Sequence, residues 1–77
     1  MKYQFDAILS ILIPQVVALI AEKEELNDIA AINEFYQSEV YSVLSKEETK
    51  LWHYSPMMLY TMYKDEKETG VLSFPED

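Results

Sequence analysis

The only histidine, His53, is the first residue to test for chemistry, because imidazole exchanges protons near neutral pH. It lies in the run Leu51–Ser55, where the hydroxyl groups of Tyr54 and Ser55 follow it. A catalytic triad also needs an orienting carboxylate and an oxyanion hole, and this chain has no glycine-rich turn to supply backbone donors. The pattern favours a capping or hydrogen-bonded structural histidine, with a small hydrolase or transferase using His53 as the alternative.

The sequence predicts no metal site, no cofactor and no enzyme activity. Zinc sites use several His or Cys ligands, whereas this chain has one His and no Cys, and no acidic loop has the calcium-binding spacing with its glycine. The single glycine, Gly70, excludes nucleotide-binding glycine loops. The lack of Cys excludes disulfides and fits a reducing compartment, so we expect a cytoplasmic protein.

The chain is acidic, with 14 Asp and Glu against six basic residues and a net charge of −8. A protein that binds nucleic acid shows the opposite balance in a patch or stripe, so nucleic acid is not a predicted partner. Mimicry of nucleic acid would need carboxylates along one face, and here both signs are mixed along the predicted helices. The charge therefore favours a solvated exterior and encounters with basic surfaces.

One apolar run, Ala7–Ala21, raises the question of a membrane. Its fifteen residues are interrupted by Ser10, Pro14 and Gln15, and a bilayer-spanning helix needs about 20 apolar residues. Acidic residues follow the run where a signal peptide would have its cleavage site. We therefore expect mature structure and no membrane partner.

The same run predicts the core helix. Its apolar residues cover about half of the circumference at helical spacing, and the core face comprises Phe5, Ile8, Leu9, Leu12, Ile13, Val16, Val17, Leu19 and Ile20. Ile11 and Ala18 fall outside this face, so a second side of the helix should be covered, by other helices of the chain or by another subunit. Pro14 predicts either a kink or a restart of the helix.

A second helix is predicted from a cap at Asn27 or Asp28 as far as Leu44, with a break near Ser38 allowed. Its predicted core face comprises Ile29, Ile32, Tyr36, Val40, Val43 and Leu44. Ser45 and Glu48 have the spacing of a capping box, which predicts a short third helix that carries Leu51 and Trp52 and ends by Tyr54.

The last helix is predicted to start at Ser55, a cap followed by Pro56 at the first helical position. Gly70 should end it as a left-handed cap. One side should carry Met58, Leu59, Tyr60, Met62 and Tyr63, and the other Thr61, Lys64, Asp65 and Glu68. The tail from Val71 to Asp77 should be extended, with Val71, Leu72 and Phe74 able to dock and Pro75 ending any strand.

Six Tyr, three Phe, one Trp and four Met make this short chain rich in the side chains that interfaces favour. A small core needs bulky residues too, and the two explanations have equal weight. Met57 lies on the polar side of the last helix and Phe35 off the main face of the second, so both should be exposed. The candidate interaction surface comprises Phe35, Trp52, His53, Tyr54, Met57 and Tyr60.

The motif EETKLWHYSP, residues 47–56, resembles a family of short uncharacterised bacterial proteins. The resemblance extends over Leu59-Tyr60, residues 68–70 and residues 73–76, and includes Ile13-Pro14-Gln15, so it covers most of the chain. It implies a place in small gene cassettes that also encode an ADP-ribosyltransferase-like protein and another short helical protein. An antitoxin-like or accessory binding role follows from the resemblance, which transfers no functional residue.

Together these patterns predict one all-α domain over residues 1–77, a compact bundle of three to five helices with a Pro-kinked N-terminal core helix and a short extended C-terminal tail. The predicted function is binding of a protein partner. The alternative is a structural subunit that self-assembles into a homo-oligomer without a separate partner.

Overall fold

The first helix, α1, spans Lys2–Lys23 and runs through Pro14 without a restart. The structure, a computed structural model, describes the backbone of residues 2–74 and the side chains of residues 4–74. All nine apolar residues of the predicted core face are buried or partly buried, which confirms that face. Ile11 and Ala18, by contrast, are exposed, so no described helix of the chain covers the second side of α1.

The second predicted helix is two helices, α2 (Asp28–Tyr36) and α3 (Glu39–Leu44). Asn27 caps α2 by accepting a hydrogen bond from the Ala30 amide at 2.8 Å. The allowed break is present at Ser38, whose buried hydroxyl oxygen accepts from the Tyr41 amide at 3.1 Å and so caps α3.

This break makes the predicted core face of α2 wrong. Ile29 is 74% exposed, Tyr36 50% and Ile32 39%, whereas α2 buries Ala31 and Phe35. The prediction assumed one continuous helix with a single apolar face that also included Val40, Val43 and Leu44. Val40 and Leu44 are buried in α3 as expected. Because the chain turns at Gln37 and Ser38, the orientation of α2 is independent of that of α3, and α2 buries Phe35 and leaves the more polar Tyr36 exposed.

The capping box predicted at Ser45 and Glu48 is absent. Ser45 ends α3 with helical backbone angles, φ −73° and ψ −3°, whereas a residue that caps the start of a helix has an extended backbone. Its hydroxyl donates to the Ser42 carbonyl at 2.8 Å. Two 3₁₀ turns follow, Glu47–Thr49 and Leu51–His53, joined by Lys50 in the left-handed region at φ 60°. They replace the predicted third helix, although Leu51 and Trp52 do lie on the second turn.

The last helix, α4, spans Pro56–Thr69 and begins and ends as predicted. Ser55 accepts from the Met58 amide at 3.1 Å, and Gly70 closes the helix at φ 79°. The predicted apolar side is buried except at Met58, which is 36% exposed. Of the tail, Leu72 packs against the core while Val71 and Phe74 are exposed; Pro75 to Asp77 lie outside the described residues.

The four helices form an all-α bundle, as predicted, and residues 2–74 contain no strand. α1 packs against both α2 and α4, and α3 packs against α4 and the two 3₁₀ turns. Every helix contributes to one core, which comprises Leu12, Val16, Val17, Ile20, Ala31, Phe35, Val40, Leu44, Leu51, Leu59, Tyr60, Met62 and Tyr63.

Candidate functional site

The structure separates the predicted interaction surface into three parts. Trp52, His53 and Tyr54 form one of them on the second 3₁₀ turn: the Trp52 and His53 ring centroids are 6.2 Å apart and the His53 and Tyr54 centroids 4.5 Å. Trp52 and Tyr54 are half-buried against the core, and only His53 is exposed. These three residues therefore form a small aromatic ridge and not a broad apolar surface.

Local backbone groups hold this ridge in place. The Trp52 indole donates to the Glu47 carbonyl at 3.0 Å, and the His53 Nδ1 contacts the Lys50 carbonyl. The Thr49 hydroxyl lies 2.8 Å from the carbonyl oxygens of both Val43 and Lys46, which ties the first 3₁₀ turn to α3. The His53 imidazole thus takes part in local structure, and among the described residues no group of three His, Asp or Glu converges as a metal site.

The second part, Phe35, is not on the surface at all, and the prediction of its exposure is wrong. Its side chain is fully buried, with ring centroids 5.7 Å from Tyr41 and 6.2 Å from Tyr63. The physical reason is the rotation of α2 that follows from the break at Ser38. Phe35 is the centre of an aromatic core.

The third part pairs an exposed residue with a buried one. Met57 is 48% exposed, whereas Tyr60 is only 5% exposed and donates its phenol proton to Glu24 Oε2 at 2.7 Å. Both residues line a depression of about 580 Å³ between the end of α1 and α4, together with Lys23, Glu24, Thr61, Lys64 and Asp65. Charges of both signs line this depression, so it does not select a ligand by charge.

The contact between Tyr60 and Glu24 predicts a dependence of stability on pH. The hydrogen bond to Glu24, with burial, raises the pKa of Tyr60 from 10.0 to about 12. A folded-state pKa above the unfolded one adds stability that is complete below pH 10 and is lost as the pH rises through 12. The difference in free energy of unfolding between the wild type and Tyr60→Phe should be constant below pH 10 and shrink above it.

Urea denaturation at several pH values measures this difference, and absorbance at 295 nm follows phenolate formation. Tyr60→Phe should lose the ionisation step near pH 12, whereas the control Tyr36→Phe should keep it. An unchanged step in Tyr60→Phe would mean that Glu24 does not hold the phenol proton.

A larger apolar surface lies elsewhere, on α1 and α2. Four exposed residues of α1 recur at helical spacing, and three of α2 do the same beside them. We refer to these residues as the α1–α2 face: Ala7, Ile11, Pro14, Ala18, Ile29, Ile32 and Tyr36. Four of them, Pro14, Ala18, Ile32 and Tyr36, line a groove of about 320 Å³ between the two helices, together with Ile13, Val17 and Asp28.

The groove has a fixed aromatic wall and one charged group. The Tyr36 ring stacks on Tyr41, with centroids 4.4 Å apart and planes 13° from parallel, so α3 supports the wall from behind. Asp28, the first residue of α2, is the only charged residue among those that line the groove. An apolar trough with a preformed wall and one polar group is typical of a binding site.

No family model, curated protein or solved structure matches this chain. The surface itself is therefore the guide to function.

α1 is also long and apolar enough to cross a membrane, judged by length and composition over the 20 residues Gln4–Lys23. The expectation that the run was too short counted Ala7–Ala21 only, and the continuous helix is longer. The core helix of a folded protein and an N-terminal signal sequence pass the same test. Only 28% of the most apolar 18 residues of this stretch are buried, so α1 combines a core face with an exposed apolar side.

The sequence held one signal for this surface. Ile11 and Ala18 fell outside the predicted core face of α1, and both are exposed in the structure. Ile29, Ile32 and Tyr36 were missed, because a period-3.6 pattern of apolar residues predicts a buried stripe and does not tell which stripe is buried.

Proposed function

We propose that this chain is a small, acidic, cytoplasmic module that binds another protein through the α1–α2 face. The observation that carries the proposal is the pair of exposed apolar stripes on either side of the groove. Exposed apolar side chains that group together on a soluble domain mark sites of interaction. Its stripes are formed by two packed helices, so a partner meets a preformed surface and little conformational entropy is lost.

The resemblance to short bacterial proteins supports the same proposal and suggests its setting. Such a gene cassette encodes a predicted toxin-like enzyme and two short helical proteins, so each of these proteins has candidate partners encoded beside it. Within such a cassette this chain would be an antitoxin-like or accessory protein that acts by occupying a partner's surface. His53 and the aromatic ridge have no part in this proposal beyond folding.

The proposal is tested with a tagged chain incubated in lysate of its own host, and with a double variant, Ile11→Ser/Ile32→Ser. We expect one stoichiometric partner, and at least about a tenfold loss of affinity for it in the double variant, since truncation of central apolar contacts costs more than about 1 kcal/mol each. Calorimetry on the purified partner measures the loss. Val71→Ser is the matched control, because Val71 is 65% exposed and Ile11 61%.

The second candidate, a self-assembling subunit, is favoured by the same exposed face. It predicts that the tagged chain recovers only copies of itself, and that light scattering shows an oligomer which Ile11→Ser/Ile32→Ser dissociates. A partner whose affinity is unchanged by the double variant would overturn the assignment of the face. Persistence of binding in His53→Ala would leave an enzyme that uses His53 without support.

A further inference from the structure

We infer that the occupant of the α1–α2 face is a cationic amphipathic helix, which lays its apolar side in the groove and its basic side against the acidic turn between α1 and α2. The inference rests on the proposed function and adds to it the chemical class of the partner. Shape and charge support it separately.

The shape of the face fits a helix. From Ala7 to Ala18 the α1 stripe spans about 17 Å, or three helical turns at roughly 1.5 Å per residue. Pro14 and Ala18 of this stripe line the groove with Ile32 and Tyr36 of α2, and the groove is open to solvent. Two parallel ridges with a trough between them accept the apolar side of a third helix, whose anchors recur every three or four residues.

The charge near the face is negative. The end of α1, the turn after it and the first residue of α2 together carry Glu22, Glu24, Glu25 and Asp28 against Lys23. Asp28 lines the groove itself. Lys23 and Glu24 line the other depression, beside α4. Glu22 follows Ala18 by four residues on α1 and so continues the exposed α1 stripe. Glu22 and Asp28 are therefore the carboxylates that border the face.

None of the five lysines whose side chains the structure describes lines the groove. Lys64 lines the depression beside α4, Lys67 pairs with Glu34, and Lys46 and Lys50 flank the first 3₁₀ turn. A positively charged group on the partner would therefore complement the face near Asp28.

The same charge disfavours the two other occupants. A second copy would bring another net charge of −8 to the interface without a lysine at the groove to neutralise it. A bilayer surface in the cell is itself negative, and helices that lie on it carry Lys or Arg beside their apolar side, whereas this face is bordered by carboxylates.

The test uses a designed probe, a fluorescein-labelled Leu/Lys peptide of about 18 residues, which is long enough to form a helix on binding. The control peptide has the same Leu positions but carries Glu in place of Lys. Fluorescence anisotropy should show a saturable one-to-one complex in which the Leu/Lys peptide binds at least about tenfold more tightly at low salt, with the ratio falling in about 0.5 M salt. Ile11→Ser/Ile32→Ser should abolish the complex.

Two charge variants locate the acidic contact. Glu22→Gln/Asp28→Asn and Glu48→Gln/Glu68→Gln both change the net charge from −8 to −6, but only the first pair borders the face. The first pair should weaken binding of the Leu/Lys peptide several-fold, and the second should leave it within twofold. Equal weakening by both pairs would mean non-specific attraction and would overturn the inference.

The remaining outcomes separate this inference from the proposed function. Equal binding of both peptides on the face would overturn the cationic partner and leave a protein-binding face. If neither peptide binds and the chain forms an oligomer that the Ile11→Ser/Ile32→Ser variant loses, the face is assigned to a second copy. If neither peptide binds and the chain sediments with phosphatidylcholine–phosphatidylglycerol vesicles, again unlike this variant, the face is assigned to a bilayer. Absence of all of these would overturn the inference, and the lysate experiment would then decide the proposed function by itself.

Discussion

Phe35→Ala should lower the free energy of unfolding by about 3–5 kcal/mol, the range for removal of a buried aromatic side chain. Phe35 has no exposed surface, and its ring contacts those of Tyr41 on α3 and Tyr63 on α4. The substitution therefore leaves a cavity where three helices meet. Urea denaturation followed by circular dichroism at 222 nm measures the change.

The matched control lies on the same helix. Ile29 is 74% exposed, so Ile29→Ala should change the free energy of unfolding by less than about 0.5 kcal/mol. Because a domain of this size has only about 5–10 kcal/mol of stability, Phe35→Ala could be unfolded in buffer. Phe35→Leu, with an expected loss near 1 kcal/mol, keeps the measurement possible. A larger loss in Ile29→Ala than in Phe35→Ala would show that α2 has the opposite face inward.

The buried side of α2 was not predictable from the sequence, but other features of the helices were. Helix ends governed by local hydrogen bonds were predictable: the caps at Asn27 and Ser55 and the left-handed Gly70 are present as expected. Each depends on two to four neighbouring residues, whose chemistry is the same in any fold. The core face of α1 was predictable as well, because its long apolar pattern fixes the phase.

The failures share one cause, which is a break in the helical phase. One turn at Ser38 was enough to reverse the buried side of α2 and to move Phe35 from the predicted surface to the core. The end of α3 also decides the outcome of the capping box, because Ser45 keeps a helical backbone there and does not adopt the extended backbone of an N-cap. The orientation of a short helix depends on the elements that pack against it. Local sequence patterns do not predict these contacts, because they join residues that are distant in the sequence.

The candidate site was harder to predict than the fold. Aromatic and Met side chains fill cores as well as interfaces, so composition could not separate buried Phe35 and Tyr60 from exposed Met57. The α1–α2 face emerged only when two helices with separate apolar stripes were placed side by side. Surfaces formed by two elements depend on the packing angle and on the rotation of each element.

The last turn of α4 contacts both α2 and α3, which were predicted as a single helix. Glu66 accepts from the Glu39 amide at 2.8 Å and from the Val40 amide at 3.1 Å, at the start of α3. Lys67, one residue on, pairs with Glu34 of α2 and lies 5.9 Å from the centre of the Tyr63 ring. The pair with Glu34 is exposed and contributes little, so the contact to α3 matters more.

Glu66→Ala should lower the free energy of unfolding by about 2 kcal/mol, since hydrogen bonds to a charged acceptor contribute roughly 1.5–3 kcal/mol and their loss leaves amide donors unpaired. Six residues are too few for α3 to be helical by itself. Its first amides therefore depend on the Glu66 carboxylate and on Ser38. Hydrogen exchange should show that the amides of Glu39 and Val40 lose protection first.

Glu68→Ala is the control that isolates this effect, because Glu68 is exposed on the same turn and its removal changes the net charge equally. It should lower stability by less than about 0.5 kcal/mol. Glu66→Gln should fall between the two, because the amide oxygen still accepts one hydrogen bond but carries no charge to stabilise the helix N-terminus. If Glu66→Ala and Glu68→Ala were equally stable, α3 would be held by burial of Val40 and Leu44 alone, and the two helices would be joined only through the core.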